Sequence, residues 1–297
     1  MVEDGMDNKI AVGIVLYNPN CNRLKQNIEA IIQQTDRMVI VDNGSSVNRH
    51  SSHELIGSYC NIHIVDNDKN MGIAYALNQI MEWGKINGYE WIVLLDQDTI
   101  CPPNIIEEYS KLICSKQGNQ NYGIICPVIY DINEKTYHGD KNINVTRSDE
   151  VITSGSCINI EVWYKLQGFD DRLFIDYVDT EFNERCLRAG YKIVRNTEVC
   201  IQHEVGKAKI INIGKWKIQC SNHNAFRRYY MVRNRLYFQR KYFGRMAFLK
   251  EAMRLLLGTF KIVLFEKEKW KKVVAYYKGF IDCFKLKENK ENSYEYK

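Results

Sequence analysis

An α/β fold, a mostly parallel sheet with helices on both faces, is predicted by three features of the first half of the chain. Short, almost wholly apolar runs recur at Ile10–Leu16, 38–41 and 91–95. Segments with apolar residues at helical spacing lie between them, and a turn signal (Tyr-Asn-Pro-Asn, Asp-Asn-Gly or Asp-Gln-Asp) closes each run. Runs apolar on every residue are strands buried on both faces, as parallel strands under helices are.

The elements follow in order. Ile10–Leu16 reads as a buried strand ending at Tyr17 and Asn18. Leu24, Ile28, Ile31 and Ile32 mark a helix over 22–33, and 38–41 is a second strand ending at Asp42-Asn43-Gly44. Strand, helix and strand make one βαβ unit. The pattern repeats with an extended segment at 62–65, a helix over 73–83 and the strand 91–95, and Pro102-Pro103 opens a further helix. In such sheets ligands bind at the carboxyl ends of the strands, so the loops starting at Tyr17, Asp42 and Asp96 are expected to share one edge.

From about Tyr122 the regularity weakens. Short strands are expected at 123–128, 151–160 and 199–203, with a helix near 180–189, completing the sheet and building a second pocket wall. The polar, Lys-rich stretch from 204 to about 225 reads as a mobile loop. Beyond it, Leu249, Ala252, Met253, Leu256, Leu257, Phe260, Val263 and Leu264 share one helical face, with Lys250, Glu251, Arg254 and Lys261 off it. Those charges exclude a membrane span. The expected domains are 1–225, divided near 121/122 into a ligand-binding and an acceptor-binding half, and a basic amphipathic extension, 226–297.

Composition narrows the function. At 297 residues and 45% apolar content the chain supports a substantial core. Its acidic start, MVEDGMDNKI, lacks a signal-peptide pattern, and a cytoplasmic location is expected. Ten cysteines with no CxxC pair read as thiols, and six scattered histidines exclude a Cys/His zinc site. The net charge of +5 conceals a division: residues 226–297 hold 19 Lys and Arg against 7 Asp and Glu, the rest 22 against 29. A basic tail on an acidic body suits an anionic partner such as a membrane surface, or else a solvated helix surface. No nucleic-acid-binding motif accompanies it, and nucleic acid is not expected as a partner.

The chemistry-bearing residues gather at strand ends. Asp96 and Asp98 follow the most apolar strand, where two carboxylates suit Mg²⁺ or Mn²⁺. Asp66-Asn67-Asp68 has the same spacing but ends a polar-interrupted strand. Asp42 either accepts from the imide N–H of a pyrimidine or caps its own turn. Asn70 and Gly72, before a helix, form either a phosphate-approachable backbone or an ordinary cap. Asp176, Asp179, Glu181 and Glu184 surround a helix start, with Asp179 at the N-cap and Asp176 in the extended segment before it. Either aspartate could serve as a general base.

The ordered motifs LYNPN, IVDNGSS, NMGIAYALN, LLDQDT, TSGSCI, FIDYVDTEF and IQHEVG resemble those of the family 2 glycosyltransferases, and LLDQDT, FIDYVDTEF and RRYYMVRNR resemble the bacterial rhamnosyltransferase branch. The resemblance spans about residues 10–240, departing at Leu16, where threonine is common, and at Val178, where an acid is usual. It implies a GT-A fold and inverting transfer of L-rhamnose from dTDP-L-rhamnose to a hydroxyl of a polysaccharide or lipid-linked glycan. The nucleotide would be bound by Tyr17, Asn18, Asp42, Asn70, Gly72 and Asp96 with Arg227, Arg228 and Arg233. The metal would sit on Asp98 and His203, the sugars near Ser154, Gly155 and Asp176, with Asp179 as base. A UDP-hexose or galactofuranose donor, or a nucleotide-sugar-binding protein without turnover, are the alternatives. At the inner face of the cell membrane, the basic extension would either contact anionic lipid or pack on the enzyme body.

Overall fold

The computed structural model describes residues 9–115, 121–131, 135–138, 143–203, 209–213, 216–220 and 223–286. The chain forms two compact units, one of Met1–Asp171 with Asp179–Val205 and one of Arg172–Val178 with Gly206–Lys297.

The first unit is built on a sheet of β1 (Ile10–Leu16), β2 (Met38–Asp42), β3 (Ile62–Asp66), β4 (Trp91–Asp96), β5 (Tyr122–Asp131), β6 (Thr136–His138), β7 (Asn144–Val145), β8 (Cys157–Asn159) and β9 (Lys192–His203). Its order is β3-β2-β1-β4-β8-β5-β9-β7, with β6 beside β5. The first four strands are mutually parallel and β8 runs antiparallel between β4 and β5. β1 and β2 are buried at every residue, as strands covered on both faces must be.

Helices α1 (Cys21–Ile31), α2 (Arg49–Gly57), α3 (Ile73–Ile86), α4 (Ile105–Cys114), α5 (Ile160–Lys165) and α6 (Val178–Arg188) connect the strands. The Asn20 side chain caps α1 by accepting from the N–H groups of Asn22 and Arg23. α3 turns Ala76, Leu77, Ile80 and Met81 into the core. It lies so close to β1 that a Cβ on Gly13 would stand 2.2 Å from Ile80 Cγ2. The register pairs Leu16 with Asp42, Asp42 with Asp66, and Val15 with Asp96. The strand ends carrying the acids therefore share one edge, as expected.

Three local expectations are corrected. The sequence reading contained no helix between β2 and β3. α2 is there, and it buries little beyond Ser52 and Ile56, too few apolar residues to show a period. Only Cys157–Asn159 of the segment 151–160 is strand, because Gly155, at φ +80°, and the bonds around it turn the chain into the sheet edge. Within the stretch read as a mobile loop lies an antiparallel hairpin of β10 (Lys209–Ile213) and β11 (Trp216–Cys220).

That hairpin belongs to the second unit, with α7 (Ala225–Phe265) and α8 (Lys269–Asp282). Non-helical backbone at Gly244 kinks α7. The two helices bury Val232, Leu236, Tyr276 and Cys283 against Phe248, Ala252, Leu255 and Phe280. Glu266, also buried, is bound by Arg228 at 3.0 Å and by Lys272 at 3.0 Å. Among the described residues no helix is long and apolar enough to cross a membrane. The nine described cysteines are free thiols, and burial pushes Cys101 and Cys126 up to about 12, so they stay protonated and inert.

Candidate active site

At the carboxyl edge of the first unit's sheet the loops are tied to one another by side chains. Asn18, at φ +50°, accepts from the N–H groups of Ser46 and Val47, each at 2.8 Å, and donates its own N–H to Ser45 Oγ. That fixes the loop after β1 on the loop after β2. Tyr17 is 46% exposed beside it, its N–H held by Gln97 Oε1 at 2.9 Å. The aromatic ring is thus presented at the edge while its backbone is tethered to the loop after β4.

Asp42 is fully buried. One oxygen accepts from the Ser45 N–H at 2.8 Å, the turn-capping bond, and the other lies 3.0 Å from His53 Nε2. His53 also reaches Asp66 at 3.3 Å, and Arg49 lies 3.0 Å from Asp66 and 4.0 Å from Asp42. The ligand atoms of Asp42, His53 and Asp66 lie within 4.8 Å of one another, a spacing that could hold a metal ion. The Arg49 guanidinium stands beside both carboxylates and offsets part of their charge, so the group also reads as an ion-pair network. Sequence reasoning missed Arg49 and His53 because they stand on α2, and the available signal was the pair of acids ending adjacent strands.

Asn70 and Gly72 pack against the same turn. Asn43 Nδ2 donates to Asn70 Oδ1 at 3.2 Å and to the Gly72 carbonyl at 3.1 Å, and Asn43 Oδ1 accepts from the Met71 N–H at 3.0 Å. Gly44 permits the approach: at φ +78°, a Cβ there would lie 2.3 Å from the Lys69 carbonyl carbon. Asn43, buried and bridging three loop positions, is a further residue the sequence did not single out.

Asp98 lines a cleft of about 530 Å³ with Asn18, Asn20, Arg23 and Gln97. The loop carrying it is held from behind, since Arg23 Nε donates to the Asp98 carbonyl at 2.7 Å and Asn27 Nδ2 to the Asp96 carbonyl at 2.7 Å. Ser154 Oγ accepts from the Asp96 N–H at 3.1 Å and lies 2.6 Å from Thr99 Oγ1. Gly155 donates its N–H to the Leu94 carbonyl at 2.8 Å. Ser154 and Gly155 therefore brace the end of β4. His203 ends β9 opposite Asp131, and its side chain lies outside the described residues.

Asp179 is the second residue of α6, inside the first turn rather than at the cap. Its Oδ1 accepts from the Thr180 N–H at 2.7 Å. The next acid, Glu181, is buried against Arg185, which also donates to the carbonyls of Leu166 and Gly168. Glu181 is thus a structural partner.

In the second unit, Asp176 stands at φ +63° with Phe174 and Tyr177 also left-handed, where an extended segment was expected. Arg227 Nη2 binds its carboxylate at 3.1 Å. Asn234, fully buried, directs its Nδ2 at the carbonyls of Leu173, Ile175 and Asp176, at 2.7, 2.8 and 2.8 Å. Arg233 donates to the carbonyls of Arg172 and Leu173 and lies over the Tyr230 ring. Arg228 is committed to Glu266. Of the three arginines, Arg227 is the one with a substantially exposed side chain, 46%.

Comparison with known proteins agrees with this architecture. Residues 11–192 match the model of glycosyl transferase family 2. The chain is 29% identical over 280 residues to the dTDP-rhamnosyl transferase RfbF of Shigella flexneri, covering 89% of this chain and 91% of that protein. Among solved structures it resembles TarS of S. aureus (TM-score 0.54, 12% identity, 67% of this chain) and GalNAc-T7 crystallised with UDP, GalNAc and Mn²⁺ (TM-score 0.53, 15% identity, 70% of this chain). It spans 37% and 44% of those longer chains, and at such identities the likeness is one of fold.

Proposed function

The chain belongs to glycosyl transferase family 2 and is a glycosyltransferase, and from that premise we propose that it transfers L-rhamnose from dTDP-L-rhamnose, with inversion, to a hydroxyl of a polysaccharide or lipid-linked glycan. The observation that carries the donor is the match to a dTDP-rhamnosyl transferase over nearly the full length of both chains. In this reading residues 1–121 form the donor half, 122–225 the acceptor half and 226–297 the helical extension, at the inner face of the cell membrane.

Tyr17 offers its ring to the thymine face, and Asp42 and Asn18 set the pocket behind it. Gly72 and Asn70, at the start of α3, provide approachable backbone for the nucleotide, and Asp96 orients the ribose or diphosphate. The Asp98 carboxylate, on an open cleft, is a hard oxygen donor of the kind Mg²⁺ or Mn²⁺ takes, beside Gln97 and Asn18 amide oxygens that already accept backbone N–H groups. His203 is assigned as a further ligand. When bound, the cation supplies positive charge to the departing diphosphate.

Asp179 is assigned as the general base, taking the proton of the attacking hydroxyl, with Asp176, Ser154 and Gly155 shaping the sugar sites. Arg227 can add charge to the diphosphate. Calorimetric titration with dTDP, UDP, GDP and CMP tests the nucleotide: dTDP tightest with divalent metal present supports the proposal, and tightest binding of UDP gives the donor assignment to a UDP-sugar.

A further inference from the structure

In the second unit, α7 beyond its kink and α8 each carry two opposed apolar rows. The inner rows pack together through Phe248, Ala252 and Leu255 on α7 and Tyr276, Phe280 and Cys283. The outer rows are uncovered among the described residues: Leu249, Met253, Leu257, Phe260 and Leu264 on α7, and Trp270, Val274, Tyr277, Ile281 and Phe284 along α8 and just past its end. Both outer rows keep helical spacing along their whole length, and Trp270 is 77% exposed. Isolated surface hydrophobics need no explanation, but unbroken rows of large ones mark an interaction surface.

Charge identifies the partner. Over residues 246–286, Glu251, Glu266 and Asp282 are buried, leaving Glu268 as the one exposed acid, while Lys250, Arg254, Lys267, Lys269, Lys278 and Lys285 are exposed. Glu251 pairs with Arg235 and Arg254, Glu266 with Arg228 and Lys272, and Asp282 with Tyr229 and Lys285, which leaves Lys250, Lys267, Lys269 and Lys278 as exposed cations not paired to these acids. Apolar rows bordered by cations with almost no exposed anion suit an acyl boundary beneath anionic headgroups. A second copy would bring the same cations against each other in a dry interface, which is unfavourable.

We propose that the outer faces of α7, beyond its kink at Gly244, and of α8 form a docking surface for an anionic lipid bilayer, on which the enzyme lies without spanning it. The contact stands on this surface alone and is independent of which sugar is transferred.

Co-sedimentation of the full chain with vesicles of phosphatidylcholine alone, or of phosphatidylcholine with phosphatidylglycerol, tests it. Binding to the anionic vesicles should exceed that to neutral ones by about tenfold or more and weaken as salt rises. Lys267→Glu/Lys269→Glu should weaken it by about tenfold or more, at roughly 1 kcal/mol per charge removed or reversed. Leu257→Glu/Phe260→Glu should abolish it. Both variants place charge on exposed positions and should retain the wild-type circular dichroism and dTDP affinity. Equal absence of binding to both vesicles, or undiminished binding by the folded variants, overturns the proposal. So does concentration-dependent self-association in ultracentrifugation that the Leu257→Glu/Phe260→Glu change abolishes, which would make the face a contact between copies of the chain.

Discussion

Arg227 donates from both Nε and Nη2 to a single oxygen of Asp176, at 3.3 and 3.1 Å, while the other oxygen of that carboxylate is buried without a hydrogen-bond partner among the described residues. That pairing suits Asp176 to positioning its segment and a bound ligand. Asp179 accepts the Thr180 N–H on its Oδ1 at 2.7 Å, at the start of α6.

With Asp179 assigned as the base, Asp179→Asn should keep fold and donor binding and lower turnover by about 10² to 10⁴. Asp176→Asn should act mainly on KM, with turnover within roughly tenfold of wild type, below the roughly 10²-fold or more that a positioned base contributes. Steady-state kinetics on both variants decide the pair. A near-normal Asp179→Asn beside an inactive Asp176→Asn would exchange the roles.

The left-handed backbone at Phe174, Asp176 and Tyr177 needs outside support, because each such residue costs free energy that surrounding contacts must offset. Asn234 and Arg233 supply it through the carbonyls of the segment 172–176. Asn234→Ala removes the side-chain donor from the part-buried Ile175 and Asp176 carbonyls, with Leu173 still bound by Arg233, and should destabilise the protein by about 1–3 kcal/mol in urea unfolding. Asn234→Asp replaces the donor by an acceptor and should be worse. A neutral alanine variant would show that the segment holds its shape without this side chain.

Much of the sheet was legible in the sequence, and the reasons are local. β1 and β4 are uninterrupted apolar runs, and the acids ending β2 and β4 stand at the shared edge because parallel register puts them there. The hairpin was present in the sequence too, as the alternation Trp216, Ile218, Cys220, but its lysines resemble those of a loop. What sequence could not show is which partner a polar residue takes. Arg228 and Arg233 read as phosphate ligands until Glu266 and the Leu173 carbonyl are seen beside them. The apolar face of α7 was legible in the sequence, whereas α8 was not read there, and only the packed inner rows reveal which faces are left uncovered.

His223 is held neutral. Burial is the largest cause of its lowered pKa, with repulsion from Arg227 and Arg228 next, against opposing attraction from Asp176 and Glu266. The folded state thus binds this proton less readily than the unfolded chain does. The resulting stability is fully present above the ordinary histidine value of 6.5 and is lost as pH falls below it. His223→Gln should show a smaller fall in thermal midpoint than wild type as pH is lowered through that value. Parallel curves for the two proteins would remove the effect.

Donor binding should require a divalent cation if Asp98 holds one. Calorimetry with dTDP should lose most of its signal in chelator, and Asp98→Asn should reproduce that loss with metal present. His203→Ala, if active and metal-responsive, would remove that histidine from the ligand set.

The central claim is that the donor is dTDP-L-rhamnose. Slow hydrolysis of nucleotide sugars by the purified chain with Mg²⁺ or Mn²⁺ reads it without knowledge of the acceptor. The account predicts release of dTDP and rhamnose from dTDP-L-rhamnose, faster than release from UDP-glucose, UDP-galactose or UDP-galactofuranose and diminished in Asp179→Asn. Preferential turnover of a UDP-sugar, or turnover of none with the metal bound, would contradict it.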